Sequence, residues 1–116
     1  MSYDKSNVFA KILRGELPCA KTHESSDALA FKNIRPFVKE HLLVIPKGEY
    51  ESFSDFAARA SDGEKLAWLS LIAEAAASLP PGGFRLVVNE GENAGQTIPH
   101  LHAHILGGQK MAVDGL

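Results

Sequence analysis

Three histidines alternate with apolar residues late in this 116-residue chain, in the run His100-Leu101-His102-Ala103-His104-Ile105-Leu106. The alternation restricts the backbone more than any other feature. On a helix, side chains at i and i+2 diverge. On a strand they share a face. A strand over Leu101 to Leu106 therefore puts the three imidazoles in line, roughly 6 to 7 Å from one to the next. Leu101, Ala103 and Ile105 then face the core, and Gly107-Gly108 stops the strand.

Other segments supply what such a strand must pair with. Leu42-Leu43-Val44-Ile45, closed by Pro46, reads as a buried central strand. Cys19 to His23, Ala28 to Lys32 and Phe84 to Asn89 are strand-like, and Glu24 to Asp27 supplies a turn. Ser6 to Arg14 reads as a short helix with Ser6 at its N-cap, Val8, Phe9, Ile12 and Leu13 on one face, and Gly15 as its stop. Tyr50, Phe53, Phe56 and Ala57 space like one face of a second short helix. Ser61-Asp62-Gly63-Glu64 has capping-box form and opens a helix to about Ser78. Leu66, Leu69, Ile72, Ala73 and Ala76 form its expected apolar stripe. Glu90 to Thr97, with Gly91 and Gly95, reads as a loop. Strands do not alternate with crossover helices, so the expected class is α+β, a mostly antiparallel sheet with segregated helices.

Length suits one domain over residues 1–116, large enough to fold without staples. The net charge of −2 and the lack of a Lys/Arg cluster argue against a nucleic-acid partner. Cys19 is the only cysteine, which excludes an internal disulfide and suits a reducing compartment. No apolar run approaches the length of a membrane span and no secretory leader is visible. The expected location is the cytoplasm.

Three aligned imidazoles can divide attack, proton donation and orientation among themselves. The loop beside them offers backbone N–H groups, an amide and a hydroxyl, which suit phosphate oxygens. Residue type and spacing alone leave two alternatives open: a zinc site on the histidines, and a solvated polar face.

The run resembles the His-φ-His-φ-His-φ-φ signature (φ apolar) of the histidine triad superfamily. With Gly107-Gly108-Gln109-Lys110-Met111 it is similar to the nucleotide-binding branch. The resemblance extends to Val8-Phe9-Ala10-Lys11-Ile12, Leu29 to Pro36, His41 to Lys47 and Val87-Val88-Asn89-Glu90-Gly91. It implies a five-stranded antiparallel sheet with two main helices. It also implies a homodimer whose sheets join into ten strands, with contacts from the Ser61 helix and the Phe84 strand. Trp68 suits that contact or the core equally.

The resemblance further implies hydrolysis of nucleoside 5′-phosphoramidates of AMP or GMP type, without metal or other cofactor. His102 would be the nucleophile on the α-phosphorus. His104 would contact the phosphate and assist the leaving group. His100 would support His102, and His41 would pack behind the triad. Asn89, Gly95, Gln96 and Thr97 would hold phosphate and ribose oxygens. Val8, Phe9, Ile12, Phe31 and Ile34 would form the slot for the base, although Phe9, Ile12 and Phe31 equally suit a plain core. Alternatives within the resemblance are a nucleotide-binding regulatory module and a dinucleoside polyphosphate hydrolase or nucleotidyl transferase.

Three departures stand out. Asn33 occupies the place of a ribose-binding aspartate, so ribose binding is expected to be weaker. The end Ala112 to Leu116 lacks the tryptophan- and proline-containing tail of animal relatives. The positions that carry zinc-binding cysteines in some bacterial relatives hold Val8, Lys11 or their neighbours.

Overall fold

The computed structural model describes residues 2–112, so Val113 to Leu116 of the divergent tail lie outside the described residues. The strands are β1 (Lys21–Glu24), β2 (Ala28–Lys32), β3 (Glu40–Pro46), β4 (Phe84–Val88) and β5 (Ala103–Gly107). They form one antiparallel sheet in the order β1-β2-β3-β5-β4. The helices are α1 (Val8–Leu13), α2 (Phe53–Arg59) and α3 (Asp62–Ala77). The expected α+β, five-stranded fold is present. None of the described helices is long and apolar enough to cross a membrane.

Both sheet faces are covered, which explains the unbroken apolar run of β3. Leu42 and Val44 join Ala28, Ala30, Ala103 and Ile105 under α3. Leu43 and Ile45 join Leu29, Phe31 and Phe9 on the other face, beneath α1. His104 pairs in register with Leu43, so it emerges on the α1 face.

Three local expectations are corrected. The N-cap of α1 is Asn7, whose side chain accepts from the Ala10 N–H at 2.9 Å. Ser6 instead donates to Asp4 through its backbone N–H and its hydroxyl. Tyr50 lies before α2, buried, with its hydroxyl donating to the Glu64 carboxylate at 2.8 Å. The capping box of α3 forms as expected, but the buried stripe is Trp68, Leu71, Ile72, Ala75 and Ala76. Leu66 is 65% exposed and Leu69 59%, and Ala73 is also exposed.

This helix is apolar over two arcs, and spacing alone does not say which one meets the sheet. Trp68 decides it. Its indole N–H donates to the Val44 carbonyl at 3.1 Å in the buried interior, and its ring packs edge-on to Phe56 at 5.3 Å. Replacing Trp68 by Ala is expected to cost about 3–5 kcal/mol of stability, read as a lowered urea midpoint by far-UV circular dichroism. A cost under about 1 kcal/mol would show that the α3 face is not anchored by the indole.

Candidate active site

A cleft of about 580 Å³ opens on the α1 face of the sheet, within the usual range for small-molecule sites. Its walls are mostly apolar. Val8, Phe9 and Ile12 come from α1, Phe31 and Leu43 from the sheet, and Ile34 from the segment after β2. Polar groups line it as well: Asn33, Asn89, Gly95, Thr97, His102 and His104. Phe9 and Phe31 are also core residues, edge-on at 5.8 Å. The two readings of these rings therefore hold together. Leu17, Pro18, Cys19, Lys32 and Ile98 complete the lining; of these only Lys32 falls within a segment that carries the resemblance.

The histidine run is not three imidazoles on one strand face. β5 begins at Ala103. Pro99 has no N–H for a ladder, and the His100 N–H turns back to the Ile98 carbonyl at 2.9 Å. His100 therefore precedes the strand and is fully buried. Its Nε2 bonds the Pro46 carbonyl at 2.8 Å, and its Nδ1 faces the Tyr3 hydroxyl. With both nitrogens engaged, the run cannot offer three converging imidazoles to one metal ion. His102 and His104 line the cleft with ring centres 5.1 Å apart.

Hydrogen-bond partners decide which ring nitrogens carry protons. His102 Nδ1–H donates to the His100 carbonyl at 2.8 Å, which leaves a lone pair on Nε2. Phe9 stands edge-on to this ring at 5.0 Å and restricts its rotation. His41 Nδ1 accepts from the Phe37 N–H at 3.0 Å. The proton of neutral His41 is then on Nε2, which donates to His104 Nδ1 at 2.9 Å. By the same logic His104 carries its proton on Nε2. The pair of cleft histidines thus presents one acceptor and one donor.

Asn33 completes this corner. Its Oδ1 accepts from the Arg35 N–H at 2.9 Å. Its amide nitrogen lies 3.3 Å from His41 Nε2, a position that already bears a proton and cannot accept another. The amide N–H groups of Asn33 are therefore available to the cleft.

Gln96 does not serve the cleft. Its amide donates to the carbonyls of Glu51 (2.7 Å) and Ile98 (3.1 Å), and its Oε1 accepts from the Gly91 N–H at 2.9 Å. It braces the 91–96 loop, whose tight turn needs the left-handed φ of +83° at Gly95. His41 likewise sits behind His104 and outside the cleft lining.

Burial lowers the affinity of all four histidines for a proton. His100 falls from the ordinary 6.5 to about 4 through loss of solvation. His104 also falls to about 4, from desolvation first and then the neighbouring His102 and His41. His102 and His41 are lowered by desolvation. His102 and His104 therefore meet the cleft as neutral rings at neutral pH.

Residues 14–111 match the HIT domain family. The chain belongs to the HIT family. It is 46% identical over 112 residues to an uncharacterised 13.2 kDa HIT-like protein of Azospirillum brasilense, covering 95% of this chain and 92% of that one. An uncharacterised HIT-like protein of Rickettsia prowazekii is 47% identical over 111 residues, with 94% and 92% covered. Among solved structures, a histidine triad protein from Clostridium difficile aligns with a TM-score of 0.80 at 34% identity over 97% of both chains. A HIT family hydrolase from Clostridium thermocellum gives 0.81 at 30% identity, covering 97% of this chain and 99% of that one.

The neutral histidines of this HIT protein link its stability to pH. In the unfolded chain they take up protons near about pH 6.5, whereas His100 in the fold resists to about 4. Between those values the unfolded state binds more protons, so stability is full above about pH 6.5 and is lost as pH falls toward 4. His100 alone is worth roughly 3 kcal/mol across that window. Urea midpoints should fall steadily from about pH 7 to about pH 5. A flat midpoint would contradict neutral burial.

Proposed function

We propose that this HIT protein is a hydrolase of nucleoside 5′-phosphoramidates, AMP or GMP type, acting through a nucleotidyl intermediate on His102. The observation that carries the reading is the His102 Nδ1–H bond to the His100 carbonyl at 2.8 Å. It presents an uncharged Nε2 lone pair at the polar end of an apolar cleft. The resemblance of the fold to HIT family hydrolases supports a hydrolytic outcome.

The apolar wall of Val8, Phe9, Ile12, Phe31 and Ile34 takes the base, and the Asn33 amide donates to a ribose hydroxyl. Asn89, Thr97 and the Gly95 backbone meet the phosphate. His102 Nε2 then attacks phosphorus, and the N–P bond to the ring forms as the P–N bond to the amine breaks. The bond pair stays on the departing nitrogen, which takes one proton from solvent. The ring becomes cationic, and the His100 carbonyl stabilises its Nδ1–H. His104 Nε2–H donates to a phosphate oxygen as charge redistributes. Water next attacks phosphorus, the Nε2–P bond breaks with its pair returning to His102, and the water proton goes to solvent. Nucleoside monophosphate and amine leave.

His102→Ala should lower turnover of an adenosine phosphoramidate at least about a thousandfold while AMP still binds. Acid-quenched wild-type enzyme should carry labelled nucleotide, and the variant none. Turnover by the variant at the wild-type rate would refute the assignment.

We also propose a homodimer through α3 and β4. Leu66 and Leu69 on α3 and Phe84 (50% exposed) and Leu86 (44% exposed) on β4 leave apolar side chains uncovered. β4 is also a sheet edge and is open to pairing. Leu69→Glu should shift sedimentation from dimer to monomer without loss of helix content. A wild-type protein that sediments as a monomer at tens of micromolar would overturn this interface.

A further inference from the structure

His100 is the one histidine of the run that the proposed reaction does not bring to the substrate, yet both of its ring nitrogens are bonded. One partner is the Pro46 carbonyl, at the end of β3. The other is Tyr3, from the segment before α1. The Tyr3 ring stands edge-on to His100, with centres 5.6 Å apart and planes at 75°. The Tyr3 oxygen also accepts from the Asn7 amide at 2.8 Å. Asn7 is itself held on both sides, because its Oδ1 caps α1 through Ala10 and its Nδ2 also donates to the Asp4 carbonyl at 2.7 Å.

The direction of every proton in this chain is determined. The Asn7 amide can only donate from its nitrogen, so the Tyr3 oxygen receives that bond. The Pro46 carbonyl can only accept, so His100 Nε2 carries the ring proton. His100 Nδ1 must then accept, and the Tyr3 hydroxyl is its donor. Burial holds the Tyr3 hydroxyl above its ordinary pKa, so it keeps its proton at neutral pH. The His100 backbone is tied by its N–H to Ile98, and its carbonyl receives the His102 Nδ1–H.

We propose that Tyr3 and Asn7 are positioning residues for the nucleophile, acting through His100. They fix the His100 ring in one tautomer and one orientation. That in turn holds the carbonyl that keeps the His102 proton on Nδ1 and its lone pair on Nε2. The N-terminal segment thereby reaches the reaction centre through a relay of hydrogen bonds, without lining the cleft. The kinetic part of this proposal rests on the phosphoramidate reading; the tautomer part stands apart from it.

The test uses the full chain. Tyr3→Phe keeps the ring packing and removes only the donor. It should lower kcat about tenfold, the equivalent of one neutral hydrogen bond, with KM within about twofold. Asn7→Asp keeps an acceptor for the α1 cap but turns the group facing Tyr3 into an acceptor. The Tyr3 proton is then drawn away from His100, and kcat should fall by a similar factor. In the Tyr3→Phe background, Asn7→Asp should add little, because the hydroxyl it redirects is gone.

Ring-nitrogen shifts in histidine-labelled protein give the readout that a merely structural role would not move. Wild type should show His102 with a protonated Nδ1 and an unprotonated Nε2, and Tyr3→Phe a mixture of tautomers. Wild-type kcat in Tyr3→Phe with unchanged His102 shifts would overturn the proposal, as would full additivity of the two substitutions. If wild type cleaves no phosphoramidate, the functional reading fails, and the shifts alone decide whether Tyr3 sets the tautomer.

Discussion

The chemistry of this molecule turns on one hydrogen bond, from His102 Nδ1–H to the carbonyl two residues earlier. A neutral imidazole has one donor and one acceptor nitrogen, and a carbonyl can hold only the donor. The lone pair is thereby aimed at the cleft. A carbonyl is a neutral partner: it orients the ring and raises its proton affinity by less than burial lowers it. A carboxylate in that place would raise the affinity and favour the cation. The backbone that presents this carbonyl cannot be part of the β5 ladder, since ladder carbonyls are spent on neighbouring strands. The Pro99 turn, which removes His100 from the strand, is what frees it.

The sheet makes this arrangement affordable. β3 is central and buried on both faces, and its end at Pro46 supplies the acceptor for His100. α3 seals one face through Trp68 and the alanines beside it. The opposite face carries α1, and α1 covers only part of it. The remainder is the cleft, floored by Phe31 and Leu43. Cleft-lining and core residues are therefore the same residues seen from two sides. Phe9 packs on Phe31, closes the cleft and restricts the His102 ring at once.

Much of this was legible in the residues. Alternation located His102 and His104, the continuous run of β3 marked the central strand, and the capping box marked the start of α3. What failed did so for physical reasons. Strand alternation extends to His100 on paper, but Pro99 withdraws it from pairing. Two apolar arcs on α3 are equivalent in spacing, and only the Val44 carbonyl, distant in sequence, selects the Trp68 side. Gln96 looks like a phosphate ligand by type and place, and only the folded loop shows its amide consumed by Glu51, Ile98 and Gly91. Tyr3 carries no motif at all, and its partner is 97 residues away.

The charge balance of the cleft bears on which phosphate it suits. His102 and His104 in the cleft, with His100 and His41 behind them, are held neutral at physiological pH by loss of solvation, and Asn33, Asn89, Gly95 and Thr97 beside them are uncharged. An anion entering here meets N–H dipoles and little formal positive charge. Such groups stabilise a single phosphate well when they are already oriented, because no reorganisation is needed at the moment of reaction. They do less for a chain of three or four phosphates, whose accumulated charge calls for cations or metal ions. The apolar wall, in contrast, rewards a flat base by area alone. A ligand with one phosphoryl centre, a base and an uncharged or cationic leaving group matches that distribution. This is why the proposed reading favours a phosphoramidate over a dinucleoside polyphosphate.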